Sequence, residues 1–115
     1  MTFNRGEVVV VLYPESNLRT AKPRPALVIQ ADGLNTGLPQ TVVAMITSNL
    51  ARAGHPSRVL VSLATPQGRQ SGLRMDSVIM TDNLRTVLLD QIDRVIGVWP
   101  DMAAVDDALR HTLGL

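Results

Sequence analysis

Seven short runs of β-branched and other apolar residues alternate along the chain with segments rich in glycine, proline, asparagine and serine. The runs occupy residues 7–13, 25–31, 41–47, 58–63, 76–81, 85–89 and 94–99. Valine and isoleucine favour strands, whereas the residues between the runs favour turns. The pattern therefore predicts a mostly β protein, built as a small antiparallel barrel or sandwich of seven strands.

Several runs are apolar at successive positions and do not alternate with polar residues, as in EVVVVLY at 7–13. Strands of this kind are buried on both faces. A chain of 115 residues has the size of one domain, 1–115, and is too short to cover both faces of every strand. We therefore expect a partner subunit, and the simplest one is a second copy in a homodimer.

The final segment, DMAAVDDALRHTLGL, changes from strand to helix periodicity. Apolar residues recur at helical spacing at Met102, Val105, Leu109 and Leu113. Asp101 suits the positive end of a helix, and Gly114 suits its end. The sequence predicts one C-terminal amphipathic helix over the sheet, with Trp99 as a core anchor beneath it.

Composition excludes several classes of site. The chain has no cysteine, and its two histidines, His55 and His111, lack the spacing of a metal motif. No apolar run approaches the roughly 20 residues of a membrane span. We expect a cytoplasmic protein with no metal, no cofactor and no membrane partner.

Charge is polarised along the chain although the net charge is only +1. Residues 1–75 carry eight cations and three acids, whereas residues 76–115 carry three arginines and seven aspartates. Ten of the eleven cations are arginine, whose planar guanidinium suits phosphate. The pattern favours an anionic partner for the first part, although solvated loop charges would give the same composition.

Two prolines flank a cation in KPRP, at 22–25. Each proline fixes its own φ and holds the residue before it extended, so Lys22 and Arg24 both have restricted backbones. An arginine held in this way suits an anion site, because it need not be ordered when the anion binds. The alternative is an edge strand that simply begins with proline.

A second candidate is the end of the run TVVAMITSN, where Thr47, Ser48 and Asn49 follow one another. Their hydroxyl and amide groups can bind phosphate or stabilise developing charge. Polar residues at a strand end also form ordinary turns, so this motif is weak by itself.

Taken together, these motifs resemble the MazF/PemK family of toxin endoribonucleases. The resemblance follows the chain in order through RGEVVVV, RPALVIQ, TVVAMITSN, HPSRVLV, SGLRMDSVIMTDNLRTV and IGVWP. It implies an SH3-like barrel of the CcdB/PemK type with a C-terminal helix. It also implies a homodimer that cuts single-stranded RNA without a metal and is inhibited by a cognate antitoxin. DNA would be contacted only through a toxin–antitoxin complex.

The resemblance also implies roles for particular residues. The family's catalytic arginine and threonine fall on Arg24 and Thr47, Ser48 follows as a phosphate or base contact, and the family's acidic position falls on Asp82. Asn49 and Asp82 are further candidates for catalysis or substrate binding. The remaining RNA-binding candidates are Tyr13, Arg19, Lys22, Arg52, Arg69 and Arg74. The reaction would be attack of the RNA 2′-hydroxyl on the adjacent phosphorus, which leaves a 2′,3′-cyclic phosphate.

Two other functions share this fold. A CcdB-like toxin would bind DNA gyrase, cut nothing and need no pairing of Arg24 with Thr47. An inactive family member would survive as an antitoxin-binding regulator.

Overall fold

Six antiparallel strands form one sheet with the order β4-β5-β3-β2-β1-β6. The computed structural model describes residues 2–14 and 21–115, and of residues 13, 14 and 21 it describes the backbone alone. The strands are β1 (Glu7–Pro14), β2 (Ala21–Val28), β3 (Gln40–Thr47), β4 (Arg58–Val61), β5 (Ser77–Leu88) and β6 (Ile92–Val98). The helices are α1 (Pro66–Gln70) and α2 (Met102–Leu113), and a 3₁₀ turn spans Leu89–Gln91. The mostly β class with a C-terminal helix is confirmed, although the sheet is not closed into a complete barrel.

The predicted number of strands, seven, was wrong: the structure has six, because the runs at 76–81 and 85–89 belong to the single strand β5. Ala44 of β3 pairs with Leu84, and the next residue, Met45, pairs with Met80. The polar residues between these partners therefore form a bulge in β5, which bends the strand without ending it. Polar residues at 81–83 indicated a turn between two strands, and a bulge has the same polar composition.

Consecutive valines of β1 enter two different cores. Val8 packs with Leu27 and Val105 in a core on the side of α2, whereas Val9 and Val11 pack in a second core on the opposite face. Val8, Val9 and Val11 are at most 1% exposed within the single chain. The runs without alternation are therefore buried on both faces as expected, but the chain itself covers these valines, so they do not by themselves require a partner subunit.

The segment before β5 contains a short helix, α1, that the sequence reading assigned to a loop. Thr65 caps it by accepting a hydrogen bond from Gly68 N at 3.0 Å, and Pro66 follows directly. A threonine before a proline is a helix-start signal that was available in the sequence. After α1, Gly72 with φ +74° lies so close to β6 that an added Cβ would be 1.9 Å from Ile96 O. Gly72 is therefore in direct contact with β6, and Leu73 and Arg74, which follow it, line the same cavity as Ile96.

The C-terminal helix is confirmed. Asp101 caps α2 by accepting a hydrogen bond from Ala104 N at 3.3 Å, and Gly114 ends it with φ 72°. Val105 and Trp99 are buried, but Leu113, which continues the apolar spacing, is exposed. The predicted apolar face is therefore buried only in its first turns.

Candidate active site

The pairing of β2 differs on its two sides. With β1 it runs from Ala21 to Leu27, but with β3 the pairing covers only Ala26 to Val28. The first half of β2, which carries Arg24, therefore lies beside β3 without a ladder between them.

The hydrogen-bond phase of β2 explains why the ladder with β3 stops. Ile29 N donates to Val42 O of β3 at 3.1 Å. Alternate residues of an antiparallel strand direct their N–H groups to the same neighbour, so positions 25 and 23 also face β3. Both are prolines and have no N–H to donate. The two prolines therefore permit full pairing with β1 and prevent the ladder from continuing toward β3.

Arg24 and Thr47 face each other across this interruption. The register that pairs Ala26 with Met45 sets Arg24 opposite Thr47 two positions further along the strands. Both residues line a cavity of about 660 Å³ and a second one of about 290 Å³. The two candidate catalytic residues, 23 positions apart in sequence, therefore border the same space.

Thr47 also borders a third cavity, of about 230 Å³, with Asn49, Arg52 and Arg58. We call the three adjoining cavities the Arg24–Thr47 groove. Its wider end, the first cavity, is lined by Ser48, Leu73, Arg74, Ser77, Arg94 and Ile96, among others. The groove therefore combines guanidinium and hydroxyl groups with apolar surface, a combination that suits the phosphates and bases of RNA.

The hydroxyl of Thr47 has a defined orientation. Its Oγ1 accepts a hydrogen bond from Asn49 N at 3.1 Å. A hydroxyl that accepts one bond retains its hydrogen for donation. Thr47 can thus donate to an oxygen atom bound in the groove.

Asp82 is held by an ion pair with Arg58, a residue that lines the third cavity of the groove. Arg58 Nη2 donates to Asp82 Oδ2 at 3.1 Å, and Arg58 Nε lies 2.8 Å from Oδ1. Partial burial raises the pKa of the Asp82 carboxyl, but the hydrogen bond and charge of Arg58 outweigh this effect and hold the pKa below its usual value of 3.8. Asp82 lines none of the three cavities, so its geometry suits a structural role better than catalysis.

Most aspartates of residues 76–115 make ion pairs or hydrogen bonds within the chain. Ion pairs join Arg5 to Asp106, Arg58 to Asp82, Arg94 to Asp93 and Arg110 to Asp107. Asp76 accepts a hydrogen bond from Leu63 N at 2.8 Å, and Asp101 caps α2. Four of the seven aspartates are thus paired with arginines, two of which come from residues 1–75.

Three of the cations that line the groove make no such contacts. Within the described part of the chain, no ion pair or side-chain hydrogen bond involves Arg24, Arg52 or Arg74, and all three are exposed. They line the groove together with Arg94, whose partner is Asp93. Positive charge available to a ligand is therefore concentrated there.

Of the remaining candidates for catalysis or RNA binding, some line the groove and others do not. Ser48, Asn49, Arg52 and Arg74 line it. Lys22 and Arg69 do not, and Arg69 Nη1 donates to Leu63 O at 3.3 Å. Arg19 and the side chain of Tyr13 lie outside the described residues.

Sequence reasoning missed Arg94 and Asn83 as lining residues. Arg94 belongs to the acidic half and carries no local motif. Its place follows only from the strand order, which sets β6 beside β1. Asn83 lies in the bulge of β5, which the sequence did not predict.

Metal ligands do not gather anywhere in residues 2–14 and 21–115, where no group of three His, Asp or Glu side chains could hold an ion. Among the same residues, neither helix has the length and apolar character needed to cross a bilayer.

A six-stranded antiparallel sheet with one terminal helix and a cationic groove defines a small β protein with a candidate anion-binding site. A model of the family described as PemK-like, MazF-like toxin of type II toxin-antitoxin system matches residues 4–113. The chain is 36% identical to endoribonuclease MazF6 of Mycobacterium tuberculosis (strain ATCC 25618 / H37Rv) over 117 residues, which cover all of both chains. It is 32% identical to endoribonuclease EndoA of Bacillus subtilis (strain 168), covering all of this chain and 97% of the other. The chain therefore belongs to the PemK-like, MazF-like toxin family.

Solved structures agree on the fold. The Mycobacterium tuberculosis toxin MazF-mt6 superposes with a TM-score of 0.73 at 22% identity, covering 95% of this chain and 97% of the other. A mycobacterial endoribonuclease in complex with its cognate antitoxin gives a TM-score of 0.74 at 20% identity, covering 99% and 97%. These likenesses show a shared fold, and it is the family model and the curated endoribonuclease relatives that favour a toxin endoribonuclease over a gyrase-binding protein.

Proposed function

We propose that this protein is the toxin of a type II toxin–antitoxin system and that it cleaves single-stranded RNA in the Arg24–Thr47 groove. Family membership and endoribonuclease relatives over the full chain support the activity. The observation that supports the site most directly is the shared lining of two cavities by Arg24 and Thr47.

The reaction needs no nucleophile from the protein. The RNA 2′-oxygen attacks the adjacent phosphorus, the bond to the 5′-oxygen breaks, and the products end in a 2′,3′-cyclic phosphate and a 5′-hydroxyl. The 2′-hydroxyl loses its proton and the leaving 5′-oxygen gains one. Between these events the phosphorus carries extra negative charge on its non-bridging oxygens.

Arg24 and Thr47 would act on that charge. The guanidinium can donate two parallel hydrogen bonds to phosphate oxygens, and the Thr47 hydroxyl can donate a third. Donors fixed where charge develops stabilise the transition state more than the bound substrate. Ser48 and Arg74, on the wider side of the groove, would hold the neighbouring part of the RNA.

The test is cleavage of a long transcript by the purified protein in EDTA, with analysis of the product ends. Cyclic phosphate and 5′-hydroxyl ends are expected, and they should form without added metal because the described residues contain no group of metal ligands. Growth arrest in cells whose RNA stays intact would instead indicate a non-nuclease toxin. Loss of cleavage in chelator would refute a metal-independent reaction.

We also infer a cytoplasmic homodimer that is inhibited by a cognate antitoxin, with DNA contacted only through that complex. The solved structure with a cognate antitoxin supports the inhibitor. For the homodimer, Leu12, Val95 and Val98 leave apolar surface exposed on the neighbouring strands β1 and β6. Sedimentation should give a dimer at micromolar concentration, and a species near 12.5 kDa would contradict it.

A further inference from the structure

We infer that Asn49, although it lines the third cavity of the groove, is a positioning residue for the Thr47 hydroxyl and acts on the RNA phosphate through it. The inference rests on the proposed function. It differs from the sequence-based role of Asn49, which was a direct contact in catalysis or substrate binding.

Two small turns in series connect the residues. Asn49 N donates to Thr47 Oγ1 at 3.1 Å, and Ala51 N donates to Asn49 Oδ1 at 3.0 Å. The first turn fixes the Thr47 hydroxyl by a backbone N–H, and the second fixes that backbone by the Asn49 side chain. The carboxamide oxygen therefore determines where the hydroxyl points, although it does not touch it.

Packing cannot replace these hydrogen bonds. The loop after β3 is exposed at every position from 48 to 52. Its conformation near Thr47 depends on local hydrogen bonds, because no buried side chain anchors it there. Thr47 itself lies at the last residue of β3, where the ladder with β2 has already ended. Without Asn49 Oδ1, the next hydrogen bond in the loop is Ala53 N to Leu50 O at 3.1 Å, which does not hold the backbone of residue 49 itself.

The geometry predicts opposite effects for two substitutions. Asn49→Ala removes the acceptor and should lower kcat by roughly 10- to 10²-fold, since a 1 Å misplacement of a catalytic group costs on the order of 10²-fold. Its KM should change less than about threefold, because the lost interaction acts in the transition state. Asn49→Ser keeps a side-chain oxygen that can accept from Ala51 N, and should restore most of kcat.

A matched control lies in the loop between β2 and β3. Thr36 Oγ1 accepts a hydrogen bond from Leu38 N at 3.2 Å, the same kind of turn, and Thr36 does not line the groove. Thr36→Ala removes an equivalent bond from an exposed loop and should leave cleavage unchanged.

The substrate is a short RNA that contains a cleavage site first mapped in a long transcript. The experiment measures kcat and KM on it for Asn49→Ala, Asn49→Ser and Thr36→Ala. The same constants are measured for Thr47→Ala with and without Asn49→Ala. In the Thr47→Ala background, Asn49→Ala should have no further effect, because nothing remains to be positioned. Wild-type kcat in a folded Asn49→Ala protein would overturn the inference, as would a rise in KM alone or an undiminished effect in the Thr47→Ala background.

A second measurement does not depend on cleavage. Three-bond NMR couplings of the Thr47 methyl carbon report its χ1 angle, which should be fixed in the wild type and Asn49→Ser and averaged in Asn49→Ala. A fixed angle in Asn49→Ala would refute positioning. If the wild-type protein cuts no RNA, the proposed function fails, and the couplings still decide whether Asn49 orients Thr47.

Discussion

Arg24→Lys separates the shape of the cation from its charge. Lysine keeps the positive charge but ends in one ammonium and loses the planar pair of donors. A hydrogen bond to a charged group contributes about 1.5–3 kcal/mol, so loss of one donor corresponds to a rate decrease of roughly 10- to 10²-fold. The Arg24 guanidinium makes no hydrogen bond or ion pair within the described residues, so the substitution should leave the melting temperature nearly unchanged.

Single-turnover cleavage should therefore fall strongly, while affinity for a non-cleavable RNA with a 2′-deoxy sugar at the cut site should fall only a few-fold. The matched control is Arg110→Lys, the same exchange at an arginine that pairs with Asp107 on α2. It should leave both quantities unchanged. Cleavage within about threefold of wild type by folded Arg24→Lys would remove Arg24 from the active site.

Three further outcomes test the fold and the groove. Gly72→Ala should lower the free energy of unfolding by more than about 2 kcal/mol, because the new Cβ would overlap a backbone oxygen. Gly33→Ala is the control: Gly33 has nearly the same positive φ but open space around it, so the loss should be only about 1 kcal/mol. Equal losses in urea denaturation would contradict this. Because the pKa of Asp82 is lowered in the folded state, its ion pair stabilises that state above about pH 4, and this contribution disappears at lower pH. Asp82→Asn should therefore reduce the loss of stability below pH 3.8, measured by acid titration of unfolding. Arg74→Ala should flatten the log–log salt dependence of RNA binding by roughly 0.7, with Arg110→Ala as the unchanged control, and an unaltered slope would show that Arg74 is only solvated.

Much of the fold could be predicted from local patterns. Runs of valine and isoleucine gave five strands as separate elements, and helical spacing with Asp101 and Gly114 gave α2. The bulge in β5 could not be predicted, because residues that leave a ladder and residues that turn a chain are polar for the same reason. The pairing of Met45 with Met80 is a long-range property that no local window contains.

The site was partly predictable for a similar reason. Arg24 and Thr47 lie in recognisable motifs and line the same two cavities, and their catalytic role stays a prediction. The partner of Asp82 was not predictable, because Arg58 is 24 residues away and reaches it only through the pairing of β4 with β5. Arg94 was missed because its place in the groove depends on strand order and not on sequence neighbours.

The gap between β2 and β3 exists because two positions lack a backbone donor, and this makes the site sensitive to an unusual kind of change. At most active sites a substitution does harm by removing an interaction. At Pro25, each of the other nineteen residues would supply an N–H directed at β3, and the strands could then continue pairing toward Arg24 and Thr47. We expect a substitution there to narrow the groove by adding a hydrogen bond and, at the same time, to release the restraint that Pro25 places on the backbone of Arg24.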